Sequence, residues 1–147
     1  MIAPVTVANN LIRRAITEKE SITPLKLQKL IYFLYKEYLQ TTEKELFTER
    51  FETWKYGPVI PSVYYEFASF EKEPITKFAR DSKNAVYVVR EQGEFKEALD
   101  RVWERYGNCS GEDLSKRTHK KESAWCKAYE EHSPYLKVED IRNEPEL

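Results

Sequence analysis

Apolar positions along this chain recur mostly at helical spacing, and the strongest such stretch is Ile22 to Gln40, ITPLKLQKLIYFLYKEYLQ. At about 100° per residue, Leu27, Leu30, Ile31, Leu34 and Tyr38 fall on one stripe. Leu25, Tyr32, Tyr35 and Leu39 widen that stripe to roughly 220°, more than the one-sided face of a surface helix. So wide an arc needs neighbours on two sides, which predicts a central buried helix over residues 23–40. Thr23 is a suitable N-cap and Pro24 a suitable first helical residue, because neither loses a hydrogen bond there. Ile22 and Leu27 occupy the positions of a hydrophobic staple. Lys26, Lys29, Lys36, Glu37 and Gln40 share the remaining sector, and on this reading Lys26 and Lys29 are exposed. Phe33 projects into that polar sector, either beneath a third neighbour or as an exposed anchor for a partner. Gln28 projects into the apolar sector, which predicts a core amide bonded to a loop backbone.

The flanking segments extend the helical pattern. Ala8, Leu11, Ile12, Ala15 and Ile16 form the inner face of a first helix, with Asn9, Asn10, Arg13 and Arg14 turned elsewhere. Residues 41–50 read as a polar loop anchored by Leu46 and Phe47. From Phe51 to Val59, FETWKYGPV alternates aromatic and polar residues up to a break at Gly57-Pro58, which predicts an extended segment. Pro61 opens a third helix with Val63, Tyr64, Phe67 and Ala68 inward. Ile75 to Phe78 and Ala85 to Arg90 read as two short strands around the turn-prone Asp81 to Asn84, lying on the helices or pairing with Phe51 to Tyr56. Phe95, Ala98, Leu99, Val102, Trp103 and Tyr106 mark a fourth helix that stops at Gly107. Short helices follow, one after a Ser110 cap and one over about Glu122 to Glu131 with Ala124, Trp125, Ala128 and Tyr129 inward. Thr118 is a candidate cap for the latter, with His119 turned into the domain toward a tyrosine or a carbonyl. Val138 to Asn143 form a last turn, and residues 135–147 read as a less ordered acidic tail. The fold class is mainly α with a small antiparallel β element, in one domain over residues 1–147.

Charge narrows the function. Lys and Arg total 24 against 25 Asp and Glu, a net charge of −1, without the basic excess of a protein that binds DNA chiefly through phosphates. No 18-residue apolar run and no signal-peptide pattern appear, so a cytoplasmic protein with no membrane segment is expected. Ten Tyr, seven Phe and three Trp make the chain aromatic-rich, which suits an interaction surface. The two cysteines, Cys109 and Cys126, are expected as thiols in a reducing compartment.

Chemistry is sparse. There is no phosphate-cradling glycine loop, no His-Glu-x-x-His pair and no nucleophile elbow. Cys109, His119, Cys126 and His132 lie within 24 residues, but their gaps of nine, six and five are wider than paired zinc ligands need. A Cys–His nucleophile lacks an orienting group. The expectation is a protein without catalytic residues, metal or cofactor.

Four stretches taken together resemble a known family: ANNLI at Ala8 to Ile12, ITPLKLQKLIYF at Ile22 to Phe33, FETWKYGPV at Phe51 to Val59 and LSKRTHKKESAW at Leu114 to Trp125. The chain is similar to the SocA-like or Panacea domain, also called GepA-like, of phages, prophages and bacterial mobile elements, from Ala8 to near Tyr129. The resemblance implies an antitoxin that neutralises a toxin encoded beside it by direct protein contact. It also implies an alternative, a proteolytic adaptor that delivers the toxin to an AAA+ protease. A small hydrolase or metal enzyme using His119, and a DNA-binding regulator, are the remaining options. The chain begins the shared region almost at once, so the N-terminal DNA-binding module of some members is not expected, and it carries Ala124 where a proline is expected. The motif residues Thr23, Pro24, Gln28, Lys55, Gly57, Pro58, Thr118, His119 and Trp125 are expected to be structural. Phe33, Lys26, Lys29, Trp54 and Tyr56 are the candidate partner contacts.

Overall fold

A computed structural model describes residues 2–147. Its order is α1 (Pro4–Glu18), α2 (Pro24–Thr42), β1 (Glu52–Trp54), β2 (Gly57–Val59), α3 (Pro61–Phe67), α4 (Gly93–Tyr106), α5 (Gly111–Thr118), α6 (Ala124–Glu130) and α7 (Val138–Arg142). A single 3-10 turn, Ala68–Phe70, follows α3. The fold is mainly helical with one two-stranded antiparallel sheet, as the periodicity predicts.

The α2 helix is the centre. It packs against α1, α3, α4, α5, α7 and β2. Thr23 caps it, its hydroxyl accepting the Lys26 N–H at 3.3 Å, and Pro24 begins it. It runs two residues past Gln40 before Glu43 turns into the left-handed region at φ 63°. Leu27, Leu30, Ile31, Tyr32, Leu34, Tyr35 and Leu39 are all buried. Tyr32 and Tyr35 meet Phe51 edge-on at 5.1 and 5.2 Å, and Phe47 joins the cluster 5.1 Å from Tyr35, so the loop anchor Leu46-Phe47 closes one side of the core.

The polar sector of α2 is also covered, which corrects the expected exposure of Lys26 and Lys29 and decides for Phe33 in favour of a third neighbour. All three are buried. Phe33 lies under α4, stacked on Tyr106 with ring centroids 4.3 Å apart. Lys26 donates to the Gly107 carbonyl at 2.6 Å and Lys29 to the Pro58 carbonyl at 3.0 Å. Long amphipathic side chains can bury their stems when a carbonyl waits at the tip, and both do so here.

The expected strand pair at residues 75–78 and 85–90 does not form. The antiparallel pair is instead β1 with β2, joined by Lys55-Tyr56, in the register Glu52 to Val59, Thr53 to Pro58 and Trp54 to Gly57. Residues 75–90 run without regular ladder bonds because α1 supplies the partners. The Asn9 amide donates to the Ala79 and Tyr87 carbonyls, each at 3.0 Å, and its oxygen accepts the Ala79 N–H at 2.8 Å. Asn10 does the same for Val89, donating and accepting at 2.8 Å. Both asparagines are therefore buried, not turned away, while Ile16 is 57% exposed.

Two further expectations shift, and Gly107 stops α4 as expected. Ser123, not Thr118, caps α6 by accepting the Cys126 N–H at 3.0 Å, and Thr118 closes α5 by donating to the Ser115 carbonyl at 2.7 Å. Tyr64 and Tyr129 lie outward, at 40% and 60% exposure. Gly107 ends α4 with φ −58°, not a left-handed angle; a Cβ there would stand 2.8 Å from the Trp103 ring, so close packing requires the glycine.

The acidic end, read from sequence as a loose tail, packs into the core. Leu136, Ile141, Glu144 and Leu147 are buried. Glu144 Oε1 accepts the Tyr32 hydroxyl and the Ala124 N–H, both at 2.7 Å, and Oε2 lies 2.8 Å from Lys36 Nζ. The Lys36 ammonium also donates to the Pro145 carbonyl at 2.6 Å. Gln40 Nε2 reaches the carbonyls of Ile141, Arg142 and Glu144.

Candidate functional site

The sequence motifs converge on the β1–β2 hairpin. Its backbone carbonyls face α2, α5 and α6, and a buried carbonyl without a donor is costly, so each needs a partner. Those partners are the motif side chains. Trp125 Nε1 donates to the Trp54 carbonyl at 2.8 Å. His119 Nε2 lies 2.8 Å from the Lys55 carbonyl, and the Ser115 hydroxyl donates to that of Tyr56 at 2.6 Å. Lys29 takes Pro58, and Gln28 donates to the Ile60 carbonyl at 3.1 Å while accepting the Ile60 N–H at 2.9 Å. Gln28 is thus the core amide bonded to a loop backbone that its position in the apolar arc predicts.

Around His119 the geometry is tight. Its Nδ1 lies 2.6 Å from the Ser115 carbonyl and its ring 4.0 Å from that of Trp125. A neutral imidazole donates to only one of its two carbonyls at a time. His119 thus bridges the Ser115 and Lys55 carbonyls and packs on the Trp125 ring, a geometry that ties α5 to the hairpin turn. Cys126 donates its S–H to Glu130 at 3.1 Å, and the Glu130 carboxylate holds the thiol above its usual range. Among the described residues, no three His, Cys, Asp or Glu side chains gather into a set that could hold a metal.

Lys29 carries the strongest electrostatic signature. Burial pushes its ammonium down to about 7, and it donates to the neutral Pro58 carbonyl. Burial also lowers Lys26, partly offset by the Glu20 carboxylate. Tyr32 is pushed up by burial and by the adjacent Glu144 carboxylate.

Gly57 makes this packing possible. Its φ is +116°, and a Cβ would stand 2.5 Å from Thr118 Oγ1 and 2.8 Å from Lys29 Cε. Pro58 follows within β2. Replacing Gly57 with alanine is expected to lower stability by roughly 2–4 kcal/mol, from backbone strain plus overpacking against Lys29 and Thr118. Urea denaturation checks this, and an unchanged midpoint would show that the turn is not a strained one.

The candidate contacts divide accordingly. Phe33, Lys26 and Lys29 are interior. Trp54 is half-buried, its Nε1 donating to Glu52 at 2.8 Å, and Tyr56 is 60% exposed with the Lys55 ammonium 5.5 Å from its ring. Sequence reasoning missed Ser115, one turn before His119 on α5, although an i,i+4 pair flanking a motif is a readable signal. Tyr65 and Tyr135 are exposed, at 72% and 48%, and the linear pattern carries no signal for them.

A cleft of about 200 Å³ opens between α2, α4 and the C-terminal segment, lined by Phe33, Lys36, Glu37, Gln40, Arg105 and Tyr106 among others. Glu37 pairs with Arg101 and Arg105 with Glu146, while Lys36 pairs with Glu144. It is smaller than an ordinary ligand pocket. No helix among the described residues is long and apolar enough to cross a membrane.

Comparison with known proteins agrees with the motif geometry. The family described as "Antitoxin SocA-like, Panacea domain" matches residues 27–126, which include the second half of the α2 motif, the hairpin and the α5–α6 junction. The chain is 31% identical over 125 residues to a protein named Antitoxin SocA from Caulobacter vibrioides (strain NA1000 / CB15N), covering 81% of this chain and 66% of that one. It therefore spans slightly less than two thirds of the length of that relative. No solved structure matches. With a family match across both the central helix and the braced hairpin, the chain belongs to the SocA-like antitoxin, Panacea domain family.

Proposed function

We propose that this protein is an antitoxin that neutralises a protein toxin, encoded by the adjacent gene, through direct contact in the cytoplasm. The observation that carries the reading is membership of the antitoxin family over residues 27–126, which contain the hairpin brace. The site supports it chemically: Lys29, His119, Gln28 and Trp125 are spent on backbone carbonyls, as suits a scaffold for binding. On this reading the protein is not an enzyme, needs no cofactor and acts through its surface.

Expressing the adjacent open reading frame alone should arrest growth, and co-expression with this protein should restore it. A neighbour that is harmless alone, or equally toxic beside this protein, would sink the proposal. Following the neighbour's abundance in the same cultures separates two modes of neutralisation. A constant toxin level means blocking, whereas a falling level that depends on an AAA+ protease means that this protein acts as an adaptor.

A further inference from the structure

Two groups of aromatic rings flank the hairpin, joined through the hydrogen bond from Trp125 to the Trp54 carbonyl, and together they form a ridge. The Tyr65 ring meets that of Tyr64 edge-on at 5.4 Å, and Tyr64 meets Trp54 at 4.7 Å. Trp54 is tied through its carbonyl to Trp125, whose ring stacks on Tyr129 at 4.9 Å and 17°. Tyr65 is 72% exposed, and Tyr129 and Tyr56 are each 60% exposed. Rigid aromatic rings of this kind are the residue class enriched at binding hot spots. Their mutual contacts hold them in place before any partner arrives, which lowers the ordering cost of association.

Charge at the turn end of the ridge identifies the occupant. Lys55 follows Trp54 directly, and its carbonyl meets His119; Lys120 and Lys121 come next in the chain after His119. All three lysines are exposed, and among the described residues none forms an ion pair. Glu122 is the exposed acid of the same loop, and Glu66 and Glu130 border the ridge further along. The turn end is therefore locally basic on a chain whose net charge is −1. Neither edge of β1 is open to an added strand: β2 covers one, and Thr53 N–H to Pro134 O and Leu136 N–H to Phe51 O, both 2.9 Å, cover the other. Side chains, not backbone, must make the contact.

We infer that the ridge from Tyr65 to Tyr129, with Lys55, Lys120 and Lys121 at its turn end, is the surface that docks the toxin, through an apolar patch on the toxin flanked by an acidic segment. This rests on the antitoxin reading above. Nucleic acid is the less favoured occupant, because the ridge carries lysines without an arginine fork and the chain has no basic excess.

The test uses the full chain and the protein encoded by the adjacent open reading frame. A Lys55→Glu/Lys120→Glu/Lys121→Glu variant should weaken binding by roughly 100-fold, and the wild-type affinity should fall with salt while that of the variant does not. Tyr65→Ser/Tyr129→Ser should weaken it by roughly 30-fold or more, with little loss of salt dependence. Both variants change exposed side chains, so unchanged thermal unfolding verifies that each remains folded. A control, Lys83→Glu/Tyr87→Ser/Arg90→Glu on the segment packed against α1, should bind and neutralise as the wild type does.

If the wild type neutralises and both ridge variants bind equally well, the docking surface is overturned while the antitoxin reading stands. If the wild type neither binds nor neutralises, both fall together. A wild type that instead binds a labelled 20-nucleotide single strand, with loss on charge reversal, assigns the ridge to nucleic acid and overturns the proposal.

Discussion

Replacing Glu144 with alanine is expected to lower the unfolding free energy by about 3–5 kcal/mol, the usual cost of removing one partner from a buried ion pair. The side chain of Glu144 is fully buried and that of Lys36 is 8% exposed. Removing the carboxylate leaves the ammonium with the neutral Pro145 carbonyl and the Phe33 ring, and strips the Tyr32 hydroxyl and the Ala124 N–H of their acceptor. The Ala124 N–H lies in the first turn of α6, where no intrahelical acceptor exists. For a chain of this size the loss corresponds to a fall in Tm of roughly 10 °C. Glu144→Gln should cost less, because an amide oxygen still accepts from Tyr32 and Ala124 and only the charge is lost. Thermal unfolding of the three proteins side by side checks the order. If both variants unfold within about 2 °C of the wild type, less than 1 kcal/mol is at stake and the C-terminal segment is not part of the core.

Lys29 should give this protein an unusual dependence of stability on pH. Its folded pKa is about 7, below the 10.5 of an unperturbed lysine, because burial disfavours the ammonium. Between those two values the unfolded chain binds a proton that the folded chain has released. Stability contributed at this site therefore rises with pH above 7 and is lost as pH falls through the folded pKa, the reverse of a lysine that gains a carboxylate partner. Complete titration is worth roughly 5 kcal/mol, and the part between pH 6 and pH 9 roughly 2.5 kcal/mol. A Lys29→Met variant removes the titration while filling similar volume. Subtracting its urea-unfolding free energy from that of the wild type isolates Lys29, and the difference should move in favour of the wild type by that amount from pH 6 to pH 9. Parallel profiles would show that the ammonium is hydrated in the folded state.

These two residues show what was legible. The wide apolar arc of α2 announces a helix with neighbours on several sides, yet it leaves Lys29 on the remaining sector and says nothing about what covers it. Periodicity reports which residues share a face. It cannot report that a hairpin carbonyl lies at the end of a lysine stem. Glu144 presents the same problem more sharply, because a charged segment near the end of a chain reads as solvated until its pairing with Lys36 is seen.

The 75–90 region failed for a related reason. Ala85 to Arg90 is rich in β-branched residues, and strand propensity describes fit to a half-buried pleated surface more than an intrinsic preference of the backbone. Here the surface is α1, and Asn9 and Asn10 supply the ladder that a neighbouring strand would have supplied. Two adjacent asparagines in a helical pattern look like its polar face, and only the backbone passing beside them reveals a bonding role.

The candidate site divides along the same line. The motif runs at Thr23 to Leu30 and Trp54 to Val59 were visible, as was the likeness of the chain to a family, because local chemistry writes them: a cap, a proline start and a glycine–proline break. Sequence alone also determined the helical class, the central place of α2 and the absence of any familiar catalytic motif. Tertiary structure alone decided that Phe33 lies under Tyr106, that Gln28, Lys29, Ser115, His119 and Trp125 brace one hairpin, and that Trp125 meets the Trp54 carbonyl. Those facts depend on which residues distant in the chain fill each other's unsatisfied carbonyls and empty volume. That pairing is settled by packing and desolvation across the whole domain, and no local pattern carries it.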